Sequence, residues 1–204
     1  MEFQTVIRRR KMVRSFEDRP VPDELVEQLV DNALRAPSGG FSQGWGFLVL
    51  RGRAECDRYW AAHKKPGGHE YAQFPLLFSA PVLIVCLSQR QAYVDRYDQP
   101  DKRPAGQPAR DWPVPYWDID TGMAGLLVLL TAVDLGLGAL LFEVPRQDAV
   151  RDEFGIPSGH TIVGTIAVGY AAPPVGPPGS AGTRRRRERP VHYGQWAASD
   201  VAPE

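Results

Sequence analysis

The chain has 204 residues, enough for one domain of ordinary size, and its 43% hydrophobic and 24% charged residues are typical of a globular protein. Its 24 basic and 24 acidic residues give a formal net charge of zero, which disfavours a nucleic-acid-coating protein because such binding needs excess basic charge. The N-terminus lacks the apolar run of a signal peptide, and the longest apolar stretch, 122–133, is too short to span a bilayer. We therefore expect a cytoplasmic protein with no membrane partner.

The first part of the chain predicts two helices, a glycine-rich loop and a strand. A short apolar start leads into the basic run 8–11, where a first helix ends. Asp23 is a suitable N-cap for a second helix with apolar residues at helical spacing. That helix stops near Pro37, because the residue before a proline disfavours the α region. Loop 38–44 then leads to a β-prone strand at 45–50.

The middle of the chain predicts a helix at 53–62, a loop at 63–71 and a strand at 81–87. The strand is a continuous apolar run, which is typical of a buried central strand. Residues 91–115 are rich in proline, aspartate, arginine and aromatic residues, with little periodicity. A stretch of this length without clear structure is usually functional or a lid.

The last part of the chain contains its strongest helix, 119–135, which is apolar nearly all round and should be buried against a sheet or a partner subunit. A short strand at 139–142, a helix opening at Pro145 and a buried strand at 161–169 follow. Residues 173–204 are rich in proline and glycine and predict an extended arm, since this composition cannot build a core. The pattern indicates a central sheet covered by helices.

Cys56 and Cys86 lie in different segments, and neither belongs to a C-x-x-C or Cys/His ligand pattern. We expect two reduced thiols, buried or half-buried, and no metal site.

Four segments contain residue types that bind ligands. The basic run 8–16 can hold a phosphate, because guanidinium groups match its oxygens, although a solvated basic face is the commoner alternative. In segment 36–45 small residues let a planar ligand approach the backbone, unless it is a plain helix-to-strand loop. Segment 136–145 exposes backbone N–H groups where a strand ends, but taken alone an ordinary connection is favoured. The tetra-arginine 184–187 could reach a phosphate, contact nucleic acid weakly or be a basic tail.

In this order the segments resemble the nitroreductase family of FMN-dependent oxidoreductases over nearly the whole chain. The matching motifs are Arg10-Lys11-Met12-Val13-Arg14-Ser15-Phe16, Ala36-Pro37-Ser38-Gly39-Gly40-Phe41-Ser42-Gln43-Gly44-Trp45, 80–85, 135–138 and 163–170. The resemblance implies an α+β, nitroreductase-like fold with a central, mostly antiparallel sheet flanked by helices. It also implies a homodimer, in which residues 1–172 form the FMN-binding domain and the arm 173–204 packs on the partner subunit.

The resemblance also implies a cofactor site. An N-terminal set would hold the FMN phosphate, a loop set would line the flavin from the other subunit, and a strand-end set would lie near the isoalloxazine. The implied residues are, in chain order, Arg9, Arg10, Lys11, Met12 and Arg14, then Pro37, Ser38, Gly39, Phe41 and Gln43, then Phe142, Glu143 and Val144, and finally Arg184 or Arg185, which would reach back to the phosphate.

The chain departs from the family pattern at several of these positions. Met12 replaces the usual phosphate-binding serine, Phe41 stands where the family often has asparagine, and Gly44 where it often has proline. Segment 72–75 lacks the polar pair that many members carry before the central strand. These changes bear on the phosphate geometry and on the nicotinamide preference.

The implied chemistry needs no catalytic side chain, because the flavin carries it. NAD(P)H would donate electrons, and a small aromatic nitro or quinone-like acceptor would take them by a ping-pong mechanism. Aromatic residues of the lid-like stretch are candidates to stack on such a substrate, or they pack the stretch on its own core: Tyr97, Trp112 and Tyr116, with Tyr93 and Trp117 beside them. The alternatives are a specialised flavin dehydrogenase, an enzyme that consumes its own flavin, and a non-catalytic flavin-binding protein.

Overall fold

A computed structural model describes residues 1–178 and 191–196. Its centre is a four-stranded sheet in the order β1-β2-β4-β3. The strands are Trp45–Arg51 (β1), Val82–Ser88 (β2), Gly138–Phe142 (β3) and Thr161–Gly169 (β4). All three neighbouring pairs are antiparallel, with Val85 of β2 opposite Leu48 on one side and Thr165 on the other. The expected antiparallel sheet is therefore confirmed, and β1 and β3 are its edge strands.

Helices cover both faces of this sheet. They are Phe3–Arg9 (α1), Asp23–Ala33 (α2), Gly52–His63 (α3), Arg90–Tyr97 (α4), Tyr116–Asp134 (α5) and Gln147–Phe154 (α6), with short 3-10 turns at Gly39–Phe41 and Pro75–Ser79.

The alternation of side chains along β2 separates two apolar layers. Leu83 and Val85 face the cluster that contains residues of α3 and α6. Ile84 and Cys86 face the cluster formed with α2 and α5. Every residue of β2 is buried, as its continuous apolar sequence predicts. The two cysteines are both buried and free, which confirms the expectation for them.

Several predicted element bounds are wrong. The stretch 91–115 is not without structure, because its first part forms α4, whose Tyr93 is fully buried. Asp23 is the first residue of α2 and not its cap, since Pro22 holds the N-cap position. The same helix ends at Ala33, before the proline that was expected to stop it. The helix expected to open at Pro145 begins at Gln147.

Helix α5 is the core helix of the protein. Among the described residues it is the one helix long and apolar enough to cross a membrane by length and composition, since it extends beyond the 122–133 stretch. Its Ala124, Val128 and Ala132 are fully buried and belong to the cluster beneath the sheet. The observed packing is thus the burial against a sheet that its all-round apolar sequence predicts.

The N-terminal segment that follows α1 runs along the edge of the sheet. Met12 forms a parallel bridge with Ala139 of β3, and Phe16 an antiparallel bridge with Ala171. At the other end of the chain Trp196 is 75% exposed and stacks on His192 with a ring separation of 4.1 Å.

Candidate cofactor-binding site

A cleft of about 390 Å³ opens beside the edge strand β3. Segment 11–15 forms one wall, and Phe74 and segment 171–178 form the others. The first wall is fixed because the Val13 N–H donates to the Ala139 carbonyl at 2.9 Å. We call this space the edge cleft.

Basic side chains accompany the edge cleft. Lys11 and Arg14 line it, and the Arg14 guanidinium lies 5.3 Å from the centre of the Phe74 ring. The neighbouring Arg10 buries its Nη1 atom without a hydrogen-bond acceptor among the described residues. A buried guanidinium N–H without a partner is costly, and phosphate oxygens match its geometry. This part of the chain therefore fits an anion such as the phosphate of FMN.

The end of β3 lies on the same side of the molecule as this basic segment. Because Met12 pairs with Ala139 in parallel, Arg14 and Glu143 both follow that pair in the same direction along the sheet edge. Both charged groups act on Tyr71. Burial raises the pKa of Tyr71, the Glu143 carboxylate raises it further and Arg14 lowers it. Met12 and Arg14 of the N-terminal set thus lie on the same side as Glu143 of the strand-end set, whereas Arg9 lies beside Met1.

Met12 occupies a packing position in this arrangement. It is half-buried and contacts both apolar layers of the protein. Its thioether fills space at the junction of the layers, where a serine hydroxyl would not. At position 12 the chain therefore has an apolar side chain that packs between the two layers, and no hydroxyl donor.

Residues 38–44, here called the Ser38 loop, lie at the opposite edge of the sheet, directly before β1. The Gly39 N–H donates to the Asp120 carboxylate at 2.8 Å, and the Tyr93 hydroxyl donates to the same oxygen at 2.6 Å. Arg96 Nε donates to the Gly40 carbonyl at 2.8 Å. Helices α4 and α5 together anchor this loop.

Tight packing explains two glycines of the Ser38 loop. A Cβ atom on Gly40 would lie 2.8 Å from the Tyr97 ring, and one on Gly44 would lie 2.6 Å from the Tyr93 ring. Heavy atoms do not approach so closely without displacing one another. A larger residue at position 44 would therefore collide with Tyr93 of α4.

Phe41 has an unusual conformation in the same loop. Its φ angle is 58°, in the left-handed region that non-glycine residues seldom adopt, and its side chain is 76% exposed. The following Gln43 also has a positive φ of 52°.

The three predicted substrate-binding aromatics are neighbours of the Ser38 loop. The Tyr97 ring covers Gly40 and lies 4.9 Å from the Trp112 ring, in an edge-on arrangement. Tyr116 lies 6.4 Å from Trp112 and is 41% exposed. The Arg110 guanidinium lies 4.9 Å from the centres of both the Tyr97 and the Trp112 rings. Within one chain these rings pack mainly on one another.

A single chain does not bring all predicted residues together. Pro37, Ser38, Gly39, Phe41 and Gln43 belong to the β1 edge, whereas the edge cleft belongs to the β3 edge. The C-terminal candidates Arg184 and Arg185 lie outside the described residues.

Sequence reasoning missed two residues that shape these sites. Asp120 is 3% exposed and holds the Ser38 loop, and a carboxylate at the start of an otherwise apolar helix was the available signal. His63 is fully buried and contacts the Glu143 carbonyl, a pairing across 80 positions that no local pattern indicates.

The nitroreductase family model matches residues 7–170. The chain belongs to the nitroreductase family. A Methanothermobacter thermautotrophicus relative, named for a proposed NADH dehydrogenase/NAD(P)H nitroreductase activity, is 29% identical over 177 residues, which are 84% of this chain and 78% of that protein.

Solved structures show the same fold. A Bacteroides thetaiotaomicron protein, named for the same proposed activity, matches with a TM-score of 0.69 and 24% identity, covering 96% of this chain and 99% of that one. A candidate nitroreductase from Desulfovibrio desulfuricans, solved in complex with FMN, matches with a TM-score of 0.65 and 23% identity, covering 93% and 99% of the two chains. The expected α+β, nitroreductase-like fold is confirmed.

Proposed function

We propose that this nitroreductase-family protein is an FMN-dependent oxidoreductase. It passes electrons from NAD(P)H to a small acceptor, an aromatic nitro compound or a quinone. The observation that carries the proposal is the edge cleft with Lys11 and Arg14 in its wall, together with the buried Nη1 of the preceding residue Arg10, which has no partner among the described residues. The FMN complex of the Desulfovibrio desulfuricans relative and the name of the Methanothermobacter relative support it.

In this proposal the chain's residues bind and orient, and none acts as a nucleophile. Arg10, Lys11 and Arg14 neutralise the phosphate through charge-assisted hydrogen bonds. The Glu143–Val144 segment lies at the ring end of the cofactor. Bound FMN would supply the redox chemistry, taking a hydride from the nicotinamide and returning electrons to the acceptor. Arg184 and Arg185 remain candidates for a further phosphate contact.

The active protein in this proposal is a homodimer in the cytoplasm. A second copy is required for the Ser38 loop to reach an edge cleft, since the two lie at opposite edges of one sheet. Helices α1 and α5 pack together and carry exposed apolar residues, with Phe3 63%, Ile7 44% and Leu126 46% exposed. Exposed apolar surface of this kind is typical of a contact with another protein. Light scattering after gel filtration measures the assembly, and a monomer contradicts this part.

The first experiment measures FMN uptake by absorbance and fluorescence. Each charge-assisted hydrogen bond contributes about 1.5–3 kcal/mol, so Arg10→Ala and Lys11→Ala should each weaken FMN binding about 10- to 100-fold. Arg53 is an exposed arginine of α3 that does not line the edge cleft, so Arg53→Ala should bind FMN like the wild type. A wild-type protein that is colourless and takes up no added FMN contradicts the proposed function.

The second experiment tests the donor, the acceptor and the order of events. Anaerobic addition of NADH or NADPH should bleach the flavin absorbance, and a quinone or nitroaromatic should restore it. Steady-state rates at several donor concentrations should give parallel double-reciprocal lines, the pattern of a ping-pong mechanism. Flavin that neither nucleotide bleaches would instead favour a non-catalytic flavin-binding protein. Flavin lost one for one with oxygen would favour the flavin-consuming alternative.

A further inference from the structure

His63, the last residue of α3, is enclosed by aromatic rings and is fully buried. The ring centres of Tyr59, Trp60, Tyr71 and Phe142 lie 5.5, 5.3, 6.0 and 5.6 Å from that of the imidazole. Burial lowers the pKa of His63, because an apolar surrounding disfavours the charged form. The imidazole is therefore neutral near pH 7.

One nitrogen of this imidazole has a partner. Nε2 lies 3.1 Å from the carbonyl oxygen of Glu143, which can only accept a hydrogen bond, so Nε2 must carry the proton. Nδ1 is buried and has no hydrogen-bond partner among the described residues. A neutral imidazole has one N–H, and the Glu143 carbonyl fixes which nitrogen has it.

The hydrogen bond to Glu143 also fixes the next N–H group. In a planar trans peptide the carbonyl and the following N–H point in opposite directions, so the Val144 N–H points away from His63. No residue in 1–178 or 191–196 accepts a backbone hydrogen bond from it. Val144 is 6% exposed and precedes Pro145, which restricts its backbone to extended conformations. The donor is thus held rigidly and is left for a group outside the chain.

We propose that His63 is a positioning residue for the cofactor. As the neutral Nε2–H tautomer it holds the Glu143–Val144 peptide so that the Val144 N–H is presented to the bound flavin. This inference rests on the proposed function, since the flavin is the acceptor it assigns. The aromatic rings around His63 protect this hydrogen bond, because they exclude the water that would otherwise compete for the Glu143 carbonyl.

The tautomer is measured first, in protein freed of flavin. Nitrogen NMR of 15N-histidine-labelled protein should show one imidazole that stays neutral and protonated at Nε2 between about pH 6 and 8, where an exposed histidine titrates. Assignment uses the signal missing from His63→Gln. A His63 that is protonated at Nδ1, or that becomes charged within that pH range, overturns the inference whether or not FMN binds.

The second measurement compares His63→Phe, which keeps an aromatic ring without a donor, with His63→Gln, which keeps a donor N–H. Loss of one net hydrogen bond should weaken FMN binding roughly 3- to 10-fold in His63→Phe, with recovery in His63→Gln. In 15N-valine-labelled protein the Val144 amide should shift on FMN addition in the wild type and in His63→Gln, and less in His63→Phe. The exposed His69 provides the matched control, and His69→Phe should behave like the wild type in both measurements.

The outcomes separate the two levels of proposal. A wild-type protein that binds no FMN contradicts the proposed function and this inference with it. A wild-type protein that binds FMN, with an unchanged Val144 shift and unchanged affinity in a folded His63→Phe, overturns the role of His63 alone. If His63→Phe does not fold, His63→Gln decides: an affinity and a Val144 shift like those of the wild type support the inference, and loss of both overturns it.

Discussion

The polar groups of the Ser38 loop have hydrogen-bond partners within the chain, whereas several on the proposed cofactor side do not. In the Ser38 loop the Gly39 N–H and the Gly40 carbonyl are both hydrogen-bonded within the chain. In the N-terminal basic segment and beside the end of β3, Arg10 Nη1, His63 Nδ1 and the Val144 N–H lack partners among the described residues. Buried polar groups are nearly always paired in native proteins, so the unpaired ones call for an explanation. The comparison indicates that the Ser38 loop is anchored by its own chain, whereas the proposed cofactor side leaves polar groups that a ligand can pair with.

The largest loss of stability is expected when the Ser38 loop loses the carboxylate that anchors it. Asp120→Ala leaves the buried Tyr93 hydroxyl and the half-buried Gly39 N–H without an acceptor, so the free energy of unfolding should fall by about 3 kcal/mol. Urea denaturation at fixed protein concentration measures it. Asp152→Ala, at an exposed position of α6, should change the same quantity by less than about 0.5 kcal/mol. Equal stability of the two variants would mean that Asp120 does not anchor the loop.

The next effect comes from overfilling the contact between the Ser38 loop and α4. Gly44→Ala places a methyl group 2.6 Å from the Tyr93 ring and 2.8 Å from the Gln89 carbonyl, where neither backbone nor buried ring can move freely. The free energy of unfolding should fall by about 2 kcal/mol, the usual cost of overpacking. Gly159→Ala is the matched control, because nothing lies within 4 Å of its added Cβ. A tolerated Gly44→Ala would show that α4 is not tightly packed on the loop.

These two positions show what sequence could and could not predict. The strands β2 and β4 were predicted closely because a buried strand is a continuous apolar run. Helix α4 was missed because it is eight residues long and mostly polar, and buries Tyr93 alone. The motifs at Arg10 and Ser38 were found because each is local. The anchoring of Gly39 by Asp120 was not, since 81 positions separate the two residues.

A smaller effect, dependent on pH, should come from His63 on the cleft side. Burial lowers its pKa more than the hydrogen bond to the Glu143 carbonyl raises it, and in the unfolded chain the pKa returns to about 6.5. Below that pH His63 is protonated in the unfolded chain but stays neutral in the folded chain. The free energy of unfolding should therefore fall on acidification, by up to about 1.4 kcal/mol per pH unit, until the lower pKa of the folded state is reached.

The difference between wild type and His63→Gln isolates this contribution. Denaturation curves of both proteins at about pH 7 and about pH 5 give it, since glutamine does not titrate and the remaining groups cancel. The wild type should lose more stability than His63→Gln between the two values. Parallel loss in both proteins would show that His63 accepts its proton in the folded state, which contradicts the apolar enclosure.

The smallest effect is a gain, at the exposed tip of the Ser38 loop. Phe41 holds a φ of 58° while its ring is 76% exposed, so it bears backbone strain without the compensation of burial. Asparagine adopts the left-handed region more readily, and Phe41→Asn should raise the free energy of unfolding by about 0.5–1 kcal/mol, or the midpoint by about 2–4 °C per kcal/mol. Leu34→Asn, at a 49% exposed position whose φ of −65° is unstrained, should show no such gain. Equal changes in the two variants would contradict the strain, whereas a gain in stability that weakens FMN binding would indicate that strain is retained to hold the Phe41 ring against a ligand.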